Sequence, residues 1–126
     1  MTPDDILAVV RAKAEIHPEL AAPLGWAELR SICARENVGL FVLPLPRPAQ
    51  LVQLEGAWSI LLDSKQSRRR HAYFAAHELG HLWLHHDPTA ERWERVYNMD
   101  DWEGDDPREG DAELFCTIVL GDVRYF

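Results

Sequence analysis

The sequence predicts an α+β fold, with helices packed on a small three-stranded, mainly antiparallel sheet in a single domain over residues 1–126. Three observations carry this. Two amphipathic helical patterns open the chain, β-rich apolar runs bounded by proline and glycine follow, and two more helical stretches close it. A chain of 126 residues, 47% of them hydrophobic and five of them tryptophan, buries roughly 65% of its unfolded surface and needs no disulfide staples.

Thr2 is placed as an N-cap, Pro3 as the first helical residue, and Asp4 and Asp5 lie in the positive first turn. Ile6, Val9, Val10, Lys13 and Ile16 then recur at helical spacing, mostly apolar, until His17-Pro18 ends the pattern. A second helix is expected from about Leu24 to Glu36, burying Trp26, Leu29, Ile32 and Cys33, with Asn37 and Gly39 closing it. "VGLFVLPLP" reads as one strand leaving into a rigid loop of Pro44, Pro46 and Pro48. "LVQLEGAWSILLD" reads as a hairpin turning at Glu55-Gly56. A long helix is expected from Ser64 or Ser67 to His86, stopped by Asp87-Pro88. Its opening run of Arg68, Arg69 and Arg70 opposes the helix dipole and reads as a solvated basic face, or else as a patch for an acidic partner. Residues 87–107 are polar, acidic and aromatic, long for a plain connection, and open to reading as a part-helix or a lid. Asp106-Pro107 starts a last helix that Gly121 ends. No internal repeat or second domain is visible.

The formal net charge of −8 and a pI near 5.1 argue against nucleic acid as the direct partner, because phosphates attract Lys and Arg. "WAELRSICARENVGL" loosely matches half of a helix-turn-helix, but no basic recognition helix follows it. Cys33 and Cys116 both fall in apolar helical patterns and read as buried, reduced thiols. The acidic start "MTPDDILAVV" lacks the features of a signal peptide, and no apolar run approaches the roughly 20 residues that span a bilayer. The expectation is a cytoplasmic protein with no membrane association.

The chemistry concentrates in "AHELGHLWLHH", residues 76–86. Residues four apart on a helix share a face, so His77 and His81 can point two imidazoles at one cation. Zinc suits such nitrogen ligands and, in a catalytic site, keeps a position open for water. Glu78 is then placed to take a proton from that water. The motif alone is short and arises by chance in many helices. Its setting strengthens it: Ala75, Ala76 and Gly80 are small, as close helix packing requires, and Phe74, Leu79, Leu82 and Trp83 supply an apolar flank. Buried polar side chains need partners, and a metal provides one.

The third ligand is less certain from residues alone. A Gly-turn class would use Asp87, but Leu84 stands where the glycine is needed. His85 lies one turn further on, about 6 Å along the axis from His81, which suits an outer position better than a ligand. A carboxylate from the last helix remains, and "EGDAELFC" offers Glu109, Asp111 and Glu113. Glu109 and Glu113 share a face, so one could bind metal while Glu113 accepts an N–H from a ligand histidine. Asp111 projects about 200° from Glu109, which predicts that the two do not serve one site. All three acids also suit an ordinary solvated helix N-terminus.

The pairing of "AHELGHLWLHH" with "EGDAELFC" resembles the ImmA/IrrE family of small zinc metallopeptidases, whose pattern is AHELGH followed, just under thirty residues on, by E-x-x-A-[ND]-x-F-A. Glu109, Ala112, Glu113, Phe115 and Cys116 stand at the second motif's positions, with Glu113 replacing the usual Asn or Asp. The resemblance covers most of the chain. It implies a zincin-like fold, one zinc ion held by His77, His81 and Glu109 in a gluzincin-like arrangement, and Glu78 as general base. It leaves Asp111 and His85 as less favoured ligands. It also implies an endopeptidase whose substrate is a protein partner, a co-encoded helix-turn-helix repressor. The competing reading is a non-catalytic, zinc-stabilised module that works by binding its partner.

Overall fold

The Thr2 hydroxyl accepts a hydrogen bond from the Asp5 amide, while the Asp5 carboxylate accepts one from the Thr2 amide. This reciprocal cap starts α1 (Pro3–Ala14). The computed structural model describes residues 1–54, 56–85, 95–98 and 107–121. After α1 come a single 3₁₀ turn (Pro18–Ala21), α2 (Trp26–Arg35), β1 (Gly39–Leu43), β2 (Ala49–Leu54), β3 (Ala57–Asp63), α3 (Arg68–His85), β4 (Arg95–Asn98) and α4 (Pro107–Leu120). The fold is α+β. Among the described residues no helix is long and apolar enough to cross a membrane.

The helices start and stop close to where their caps predict. Asn37 adopts a left-handed φ of 58° beyond α2. The amides of Val38 and Asn37 return to the carbonyls of Cys33 and Ala34, a Schellman closure. Ser67 caps α3, its hydroxyl accepting from the Arg70 amide. Gly121, at φ 67°, closes α4. α1 departs from expectation: only Ile6 is fully buried in it, and Ile16 is 56% exposed. The helix ends at Ala14, so the stripe never extends to that residue. Trp26 is half-buried, with the Arg68 guanidinium 4.7 Å from its ring. Arg70 lies over Phe74 in the same way. These contacts favour the structural reading of the arginine run.

The sheet needs correction. It holds four strands in the order β1-β3-β2-β4, not three. β2 and β3 form the expected antiparallel hairpin, with Gly56 at φ 82° in the turn. β1 pairs with β3 in parallel, Gly39 opposite Ser59 and Leu43 opposite Asp63. The proline loop reverses the chain, and β1 then docks on the far side of β3, an edge choice that strand patterning does not encode. β4 comes from the segment read as a lid or part-helix and pairs antiparallel with β2. Four residues are too few to show a period. The rest of residues 86–106 lies outside the described residues.

One sheet face, carrying Leu51, Trp58, Ile60 and Leu62, packs under α3, and α3 packs in turn against α4. β1 forms an edge on which Phe41, Val42 and Leu43 remain exposed.

Two features fix α3 in place. At Gly80, an added Cβ would lie 2.8 Å from Cδ1 of the fully buried Phe115, so the glycine permits the close approach of α4. Further along, Glu36 accepts hydrogen bonds from Lys13 Nζ at 2.8 Å, from the buried His17 ring at 3.1 Å and from the Trp83 indole at 3.0 Å. Arg35 donates to the other nitrogen of His17, which leaves Nε2 to carry the proton given to Glu36. The His17 and Trp83 rings stack with centroids 5.8 Å apart. This buried node joins α1, α2 and α3, although the sequence had marked His17 only as a helix end.

Gly80→Ala should lower stability by up to about 2 kcal/mol, because overpacking costs about 1–3 against a helix-propensity gain of about 1. Thermal unfolding measures it. Glu36→Ala should cost about 2–4 kcal/mol in urea titration, since it strands a buried imidazole N–H and an indole N–H.

Candidate metal centre

The central turns of α3 are buried on all sides, and that burial includes His77, Glu78 and His81. Tyr73 lies beside His77, with ring centroids 5.8 Å apart, and Phe115 packs edge-on against Trp83. The histidines therefore sit in a low-dielectric pocket rather than on a solvated stripe.

α4 brings Glu109, in its first turn, over this face. His77 Nε2 and His81 Nε2 are 3.1 Å apart. Glu109 Oε2 lies 3.2 Å from the first and Oε1 lies 3.0 Å from the second. Oε1 is nevertheless buried without an aligned hydrogen bond among the described residues. Two imidazole nitrogens and a carboxylate oxygen thus crowd one point, and together they form a group able to hold a metal ion. Their spacing is close to the roughly 3.3 Å expected between ligands of a tetrahedral ion with bonds of about 2.0–2.1 Å. The donor set fits zinc, and it also fits other divalent transition metals.

The electrostatics separate the two acids. Burial pushes the Glu78 carboxyl up to about 8, and the nearby Glu109 carboxylate adds to the rise. Its Oε1 has no hydrogen-bond partner among the described residues. Burial also works against the charge on Glu109, but the adjacent His77 and His81 rings outweigh it and bring that carboxyl down to about 2. Burial lowers the His81 pKa, with Glu109 opposing, so the ring favours the neutral form that binds metal. Glu109 is therefore the fixed negative charge, and Glu78 the acid that holds or gives up a proton near neutrality.

The other candidates are placed differently. Glu113, the expected acceptor for a ligand histidine, is exposed, and among the described residues His77 Nδ1 has no hydrogen-bond partner. Neither His85 nor Asp111 joins the three-residue group, yet neither is remote. His85 Nδ1 lies 3.3 Å from His81 Nδ1, and His85 Nε2 lies 3.1 Å from Asp111 Oδ2. Asp111 and Glu109 thus both border the site despite their wide angle on α4, because the His85 ring bridges the gap. The i, i+4 spacing of His81 and His85 was the signal available in the sequence.

Two buried histidines and a partly buried glutamate, beside a second glutamate that keeps its proton, have the composition of a metal site. A sequence model of the peptidase M78 family, described as the IrrE N-terminal-like domain, matches residues 33–120. The chain belongs to this metallopeptidase-type family. No curated protein matches it, and no solved structure does.

The sign of the Glu78 shift gives a test on metal-free protein. Its folded pKa is raised, so it costs nothing below about pH 4.5 and progressively more up to about pH 8. Glu78→Gln should therefore be more stable than the parent at pH 8.5. The gap should shrink toward pH 5 by about 1.4 kcal/mol per pH unit, as read by denaturant titration in chelator.

Proposed function

We propose that this chain is a zinc-dependent endopeptidase that cuts a protein partner, and that the partner is a co-encoded helix-turn-helix repressor met in the cytoplasm. The convergence of the His77 and His81 Nε2 atoms on the Glu109 carboxylate carries the reading. Membership of a metallopeptidase-type family supports it. The repressor as substrate rests on the resemblance to ImmA/IrrE proteins.

His77, His81 and Glu109 would hold one ion per chain, and zinc bound there supplies Lewis acidity toward a peptide carbonyl and acidifies water. Glu78 takes the proton of the attacking water and passes it to the leaving amide nitrogen. Its buried carboxyl, poised near 8 before any cation offsets the burial, suits both halves of that exchange. His77 and Glu78 are themselves buried, which excludes bulk water there and strengthens each of these interactions.

Metal analysis should find one zinc per parent chain and almost none in Glu109→Ala. Cleavage of the repressor should stop in chelator and fall by about 10²–10⁴ in Glu78→Gln, with zinc content unchanged in that variant. Cleavage surviving both treatments overturns the proposal. Repressor binding without cleavage, indifferent to Glu78→Gln, would identify a binding module instead.

A further inference from the structure

The geometry points to a hydrogen-bonded relay, Asp111–His85–His81, that sets the tautomer of His81 and presents its Nε2 lone pair to the metal; this rests on the metal-site reading above. The logic follows from donor and acceptor inventory. An ionised Asp111 can only accept, so the proton between it and His85 belongs to His85 Nε2, 3.1 Å away. A neutral imidazole protonated at Nε2 has a bare Nδ1. His85 Nδ1 must therefore accept from its 3.3 Å neighbour, His81 Nδ1. With a cation between the donors, His81 then carries its proton on Nδ1 and turns a bare Nε2 to the point it shares with Glu109 and His77.

Each link is sheltered. The Asp111 side chain is 12% exposed, His85 9% and His81 5%, so water competes weakly for these bonds. The spacing has a simple source: His77, His81 and His85 fall one turn apart on α3, and α4 carries Glu109 to the inner pair and Asp111 to the outermost ring. His77 contrasts with His81, because among the described residues its Nδ1 has no hydrogen-bond partner. His85 and Asp111 are thus positioning residues. They act on metal affinity through His81 rather than by ligation.

The tautomers of the zinc-loaded parent can be read by ¹⁵N NMR of the imidazole rings, and Zn²⁺ affinity by competition with a chromophoric chelator. His81 should appear as the Nδ1–H form and His85 as the Nε2–H form. Asp111→Ala and His85→Phe should each weaken Zn²⁺ binding about 10–100-fold. Because the links act in series, the double variant should weaken it no further than His85→Phe alone. A role confined to stability would lower the melting temperature of apo protein while leaving both readouts unchanged. A His81 ring protonated at Nε2, a Kd within twofold of the parent in both single variants, or additive losses in the double variant would overturn the relay. If the parent binds no Zn²⁺, the metal reading fails, whereas zinc bound with His85 protonated at Nδ1 overturns the relay and leaves the metal reading standing.

Discussion

The close approach of α4 to α3 is the constraint on which the centre depends. His77 and His81 come from neighbouring turns of one helix, so their proximity follows from helical geometry alone. Glu109 is nearly thirty residues away in sequence and reaches them only because α4 lies against α3. Phe115, on the next turns of α4, occupies the space that a side chain at residue 80 would fill. A glycine in a helix interior carries an entropic cost. Here it permits the helix contact that positions the third donor.

The same burial that packs α3 also generates its electrostatics. Two carboxylates and two imidazoles occupy a region with little water, where opposing charges are felt strongly. Glu109 keeps its charge because the rings stand beside it. Glu78, without such neighbours, retains its proton to higher pH. Two glutamates on two helices acquire distinct chemical characters from their surroundings alone. Meanwhile the Glu36–His17–Trp83 node fixes the face of α3 opposite the site without adding a net buried charge to it.

Much of this was legible in the sequence, and the illegible parts share a cause. Thr2, Ser67, Asn37 and Gly121 set helix ends through local hydrogen bonding, which sequence patterns encode directly. His77, Glu78 and His81 follow from spacing, and Glu109 from the family pattern. Contacts between distant elements were hidden. Nothing local says that β1 lies beside β3, that Glu36 receives a buried histidine, or that His85 reaches Asp111. The angular argument for Asp111 treated α4 as isolated and ignored the bridging ring from α3. Glu113 shows the converse: it shares a helical face with Glu109 yet is exposed.

The open rim of the sheet has one more consequence. Among the described residues, β1 leaves its outer amides and carbonyls without a neighbouring strand and displays Phe41, Val42 and Leu43 to solvent, a combination that recruits other chains edge to edge. Pro44, Pro46 and Pro48 follow at once, and none can donate to a ladder. The recruiting stretch is therefore confined to five residues. Prolines spaced this way act as gatekeepers, keeping a sticky margin too short to seed fibrous stacking.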